Sequence, residues 1–208
     1  MKRSKSHTKA RMLETTISLI ELQGYHATGL NQIVQESSTP KGSLYFHFPE
    51  GKEQLAAEAI LLAGKQVKRK VEQALQSSDN LGTAMKSFVL AIARELETSD
   101  FRKGCPIATV AMEASATHDK LRQACEAVYS SWFELVYQRF ITSGFDPAET
   151  ESWTLFIWSA VEGSLLLSRN RRSTKPLETV ANQLEILLSQ LVCLNSEDTN
   201  IDANAADL

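Results

Sequence analysis

Almost every periodic stretch of this chain repeats its apolar residues at steps of three and four, a spacing that buries one face of a helix. Leu81, Ala84, Met85, Phe88, Val89, Ile92, Ala93 and Leu96 follow the pattern without a miss. Leu177, Val180, Ala181, Leu184, Leu187, Leu188 and Leu191 repeat it behind Pro176, a residue suited to a first helical turn. No run alternates with a period of two, so the expected fold class is all-α. Breaks at Gly24, Pro40, Pro49, Gly104 to Pro106, Gly144 to Pro147 and Ser173 to Pro176 divide the chain. Helices are expected near 7–23, 29–37, 40–47, 51–77, 80–98, 106–116, 118–143, 147–170 and 176–194.

Composition narrows the functional classes. The 208 residues are 43% hydrophobic and 23% charged, ordinary for a globular protein able to bury a core. No stretch approaches the roughly 18 apolar residues of a membrane span. The polar start Met-Lys-Arg-Ser-Lys-Ser-His carries no apolar region behind its charges, unlike a secretory signal. Cys105, Cys125 and Cys193 are far apart and odd in number, as expected of free thiols in a cytoplasmic protein. The patterns GxSxG, HExxH and the P-loop are absent, as are CxxC pairs and zinc-like Cys/His spacing. The expectation is therefore a protein that is not an enzyme, with neither cofactor nor metal. A Cys105–His118 dyad is conceivable, yet no third group in the sequence orients it.

Charge is unevenly spread. Residues 1–52 hold Lys2, Arg3, Lys5, Lys9, Arg11, Lys41 and Lys52 against Glu14, Glu21, Glu36 and Glu50, a net of +3 within a chain of net −3. A basic end on an acidic body suits a polyanionic partner for that end, although a solvated tail reads the same way.

The segment TPKGSLYFHFPEGKEQL, residues 39–55, concentrates this question. A helix between Pro40 and Pro49 is too short to persist alone, since isolated helices need about 12 residues or more. Before it, Leu30, Ile33 and Val34 define another short helix, with the Thr28 hydroxyl placed to cap it. Ser37, Ser38 and Thr39 form the turn, and Leu44, Phe46 and Phe48 are expected in the core. An amphipathic helix carrying Leu13, Ile17 and Ile20 precedes them. Two short helices braced by a third describe a helix-turn-helix, whose second member lies in the DNA major groove.

The run GYHATGLNQIVQESSTPKGSLYFHFPEGKEQL also resembles the DNA-binding signature of TetR-type bacterial regulators, with its GY turn, its Thr, the Gly-Ser-Leu-Tyr helix, His-Phe and a following Lys. The extra glycine in FPEGKE and the later RKGCPIATVAMEAS resemble the LmrA/YxaF-like branch. Thr39-Pro40 depart from the usual Val-Ser, and Asn31-Gln32 stand where a more charged pair is common. The resemblance implies phosphate contacts from Thr28, Tyr45 and Lys52, close backbone approach at Gly42, and base contacts from Lys41 and Ser43. It also implies a phosphate contact from His47, which competes with a packing role, and an arm of Lys2, Arg3 and Lys5. The implied function is a repressor that binds a palindromic operator as a homodimer and is released by a small apolar or aromatic effector. Its implied layout is a DNA-binding domain at 1–50, an effector-binding and dimerisation bundle at 51–194, and a flexible acidic tail at 195–208.

The sensing half says less. The helix around Trp153, Leu155, Phe156, Ile157, Trp158, Ala160 and Val161 has little polar face, so it is covered on more than one side, by a partner chain or by its own core. Cys105, Met112, Tyr129, Trp132, Phe133 and Phe156 are candidates to line an effector pocket, with ordinary core filling as the alternative. Cys105, between Gly104 and Pro106 and after two cations, is either a reactive thiol or a small residue in a tight turn. The rival reading is a helical ligand-binding protein, or a cysteine-based electrophile or redox sensor, with atypical or lost DNA binding.

Overall fold

A computed structural model describes residues 2–205, with side chains described for 7–191. Among the described residues the chain forms nine helices and no strand. They are α1 (Lys2–Gln23), α2 (Leu30–Glu36), α3 (Lys41–His47), α4 (Lys52–Ser77), α5 (Leu81–Thr98), α6 (Pro106–Ala114), α7 (Asp119–Thr142), α8 (Pro147–Arg171) and α9 (Lys175–Ala205). Among those residues no helix is long and apolar enough to cross a membrane.

Most boundaries fall within two residues of the expected ones. The exceptions are the ends: α1 begins at Lys2 rather than near 7, and α9 continues to Ala205 rather than stopping near 194. No Pro or Gly interrupts either extension, so only polarity marked them as ends. The flexible tail assigned to 195–208 is thus helical in its backbone to Ala205. The arm of Lys2, Arg3 and Lys5 has side chains outside the described residues.

The chain divides into two compact units: residues 1–68 with 102–131, and residues 69–101 with 132–208. The first unit is built on Met12, Leu19, Ile33, Leu44, Phe48 and Leu55, with Leu13, Leu30 and Val34 packed against them. One residue from each short helix thereby locks it to α1 and α4, which supplies the stability that seven residues cannot supply alone. The turn between α2 and α3 is closed by its own hydroxyls. Ser37 and Thr39 lie 2.7 Å apart through their side-chain oxygens, Ser38 adopts φ +48, and the Thr39 amide donates to the Val34 carbonyl at 3.2 Å.

In the second unit α5 lies against α9, and Gly82 permits the approach. A Cβ at Gly82 would stand 2.5 Å from the Glu185 carbonyl oxygen and 3.0 Å from the Glu185 Cα. Around that crossing the Lys86 ammonium pairs with Glu185 at 2.6 Å, and the Ser189 hydroxyl donates to Asn80 at 3.1 Å. Asn80 in turn caps α5 by accepting from the Thr83 amide. Trp158 of α8 sits among Trp132, Phe88 and Phe133, with ring centroids at 5.2, 5.9 and 6.3 Å.

Candidate nucleic-acid interface

Two anchors orient α3. Leu44 and Phe48, one turn apart, are 1% and 0% exposed, so one side of the helix faces the core. Successive residues turn by about 100°, which points Gly42 and Phe46 away from that side and sets Ser43 and Tyr45 on its flanks. Lys41, Gly42, Tyr45 and Phe46 are exposed; Ser43 and His47 are half-buried. Phe46 corrects the expectation of a core residue. It is 63% exposed, because the register that buries Leu44 and Phe48 leaves no inward place for it. Its ring meets His47 edge-on at 5.0 Å. A Cβ at Gly42 would meet nothing within 4 Å, so no packing inside the chain demands a glycine there.

Thr28 and Lys52, expected at phosphates, are both turned inward. Thr28 is 1% exposed, and its hydroxyl donates to the Gly24 carbonyl at 2.6 Å. The N-cap of α2 is Gly29, without a side-chain bond, so Thr28 braces the turn instead of capping the helix. The Lys52 ammonium lies 4.4 Å from the Tyr25 ring centroid and donates to the His26 carbonyl at 3.2 Å. Burial lowers its pKa below the ordinary lysine value, and Glu113 opposes that shift. A lysine held by a ring face and a carbonyl is a brace between α4 and the α1–α2 turn.

Around this brace lies a cluster that the sequence did not announce. Glu113, at the end of α6, accepts the His26 backbone N–H at 2.9 Å, and its carbonyl oxygen lies 3.1 Å from His26 Nε2. Gly24 adopts φ +86, and a Cβ there would stand 2.1 Å from a Glu113 carboxylate oxygen. Tyr25 is 4% exposed and meets His118 of the α6–α7 turn edge-on at 5.6 Å. Burial raises the Tyr25 pKa, with Glu53 adding to the shift. Lys120 pairs with Glu50, just beyond α3. The residues were visible in the sequence, but nothing in their spacing joins positions 24–26 to 113–120.

The six effector candidates do not gather in one place. Cys105, Met112 and Tyr129 belong to the first unit; Trp132, Phe133 and Phe156 belong to the second. Met112 is 72% exposed and Phe156 is 47% exposed, so neither lines a closed pocket within its unit. Cys105 caps α6, its sulfur accepting from the Ala108 amide at 3.5 Å. Cys125 is buried, and burial pushes its thiol up to about 11, which keeps it protonated and inert at neutral pH. Trp132 and Phe133 do meet, around Trp158. Trp158 stands in line on α8 with Thr154 and Thr150 at four-residue steps. The Trp158 Nε1 and both threonine hydroxyls are buried without a hydrogen-bond partner. Their regular spacing was the available signal for this polar line.

Comparison with known proteins supports the same arrangement. Residues 12–59 match the family of bacterial regulatory proteins of the tetR type, and residues 82–183 match the C-terminal domain of LmrA/YxaF-like transcriptional regulators. The chain is 36% identical over 185 residues to the HTH-type transcriptional regulator YxaF of Bacillus subtilis, spanning 89% of this chain and 97% of that one. It is 30% identical over 183 residues to LmrA of the same organism, spanning 88% and 97%. The crystal structure of a TetR transcriptional regulator from Legionella pneumophila matches with a TM-score of 0.76 at 23% identity, covering 85% of this chain and 95% of the other, a likeness of fold alone. This chain belongs to the TetR family, in its LmrA/YxaF-like branch, and is a DNA-binding transcriptional regulator, not an enzyme.

Proposed function

We propose that this regulator is a cytoplasmic repressor that binds a palindromic operator as a homodimer and leaves it when a small apolar or aromatic effector binds. The functional division is a DNA-binding domain at 1–50 and an effector-binding and dimerisation domain at 51–194. The observation that carries the reading is the outer side of α3. Lys41, Gly42, Ser43, Tyr45 and His47 surround a helix held from behind by Leu44 and Phe48. Tyr45 can donate to phosphate, and Lys41 and Ser43 have the chemistry for base edges.

Gly42 supplies an internal check. Its open surroundings mean that Gly42→Ala leaves thermal stability unchanged or raises it, by about 0.5–1 kcal/mol for a helical position. Where the backbone must approach a sugar-phosphate wall, the same methyl group weakens DNA binding. Melting curves and duplex titrations on one sample separate the two effects. Unchanged affinity would remove Gly42 from the interface.

Dimerisation is supported by one face of α8. Leu155, Phe156, Leu166 and Leu167 are about half exposed, with Ile186 of α9 exposed to a similar degree. Between them the small residues Ser159 and Gly163 are also exposed, and a Cβ at Gly163 would meet nothing in the protomer. An apolar stripe with small residues at its centre suits a crossing helix of a second copy.

Effector binding is supported by the aromatic group around Trp158 and by the unpartnered donors beside it. A buried polar group without a partner costs about 1–3 kcal/mol, which a ligand with acceptor oxygens or nitrogens recovers. Both α4 and α7 contribute residues to each unit, so a ligand in the second can act on the first along continuous helices.

The test is selection of duplexes by the full chain from a randomised pool. Inverted repeats are expected, with half-site centres one helical turn, about 34–36 Å, apart. Affinity should fall steeply with salt. A pool without enrichment, or salt-insensitive binding, contradicts the proposal.

A further inference from the structure

Resting on the DNA-binding reading of α3, we infer that Phe46 reads a thymine methyl group in the major groove and so sets part of the operator specificity. The two positions opposite the buried anchors Leu44 and Phe48 are Gly42 and Phe46, one turn apart. Neither side chain carries a donor or an acceptor. The most protruding line of the groove-facing helix is therefore hydrocarbon, with the polar groups of Ser43 and Tyr45 to either side.

Phe46 is the most exposed aromatic residue among the described side chains, at 63% against 55% for Tyr45. Leaving a phenyl ring in water forgoes about 1.5–3 kcal/mol of burial. Nothing within the fold recovers that cost, whereas a ligand surface can. Base edges in the major groove offer donors, acceptors and one apolar group, the C5-methyl of thymine. The open space at Gly42 lets the helix sink until the Phe46 ring reaches that depth. The ring also rests against the edge of His47, which holds it out from the helix.

The probe is a duplex selected by the wild-type chain, with each thymine replaced in turn by deoxyuridine, a change that removes only the methyl group. Wild-type affinity is expected to fall by about 3- to 10-fold at one thymine in each half-site, the scale of one buried methyl-sized contact. Phe46→Ala should lose a similar factor on the unmodified duplex and be indifferent to deoxyuridine at that position. Phe46→Leu should keep a reduced response, and Tyr45→Phe should keep the full one. Equal deoxyuridine sensitivity in wild type and Phe46→Ala, or half-sites with no sensitive thymine, would overturn the inference while leaving DNA binding intact. Failure of the wild-type chain to bind any selected duplex would overturn the DNA-binding reading of α3 beneath it, and the inference with it.

Discussion

Phe48→Ala is expected to destabilise the first unit by about 3–5 kcal/mol and to abolish specific DNA binding. The ring is fully buried, shares the core with Met12, Ile33, Leu44 and Leu55, and carries the Lys9 ammonium 5.4 Å from its centroid. Truncation leaves a cavity at the one place where α3 is tied to α1 and α4. A domain is typically stable by only about 5–15 kcal/mol, so the loss takes a large share of the total. The functional loss exceeds the thermodynamic one, because seven residues have no helical stability of their own once the anchor is gone. Urea unfolding followed by circular dichroism, alongside duplex titration, measures both. A variant that melts like wild type and binds like wild type would show that α3 is held by something other than this core.

The second large effect concerns the apolar face of α8. Leu166→Glu combined with Leu167→Glu places two carboxylates where a partner helix is proposed to lie. Within a protomer these side chains are about half exposed, so the fold should tolerate the change. Across a dimer contact the charges are desolvated against apolar surface, which separates the protomers. Losing one of two linked recognition helices removes the gain from simultaneous engagement, about 100-fold or more in affinity. Sedimentation of the variant as a monomer, with native helical content and weakened duplex binding, is the expected set of results. A variant that remains dimeric would place the interface elsewhere.

Legibility in the sequence followed the range of the forces involved. The helices and their breaks were readable because period and punctuation are local: Pro40, Pro49, Pro106, Pro147 and Pro176 lie beside breaks the structure shows. The end of α9 was not readable, because polarity lowers the drive to bury a helix without forbidding the helix itself. Leu44 and Phe48 were readable as anchors, and the same register places Phe46 outside, a step that its aromatic character obscured. Thr28 and Lys52 could not be placed from their own neighbourhood. Their partners, the Gly24 carbonyl and the Tyr25 ring with the His26 carbonyl, are chosen by how the turn folds back. The Glu113 contact joins residues 87 positions apart and has no counterpart in any motif. The aromatic residues of the sensing half were conspicuous by type, but type does not reveal which unit a ring belongs to.

The most direct test of the interface is the base preference of Lys41→Ala. Lys41 is exposed at the start of α3, with the reach to donate to guanine O6 and N7. Titrating wild type and variant against the selected duplex and its single-base substitutions should show a loss of about 5-fold or more for Lys41→Ala, with discrimination relaxed at one position in each half-site. Unchanged affinity and unchanged preference at every position would mean that the outer side of α3 does not read the duplex.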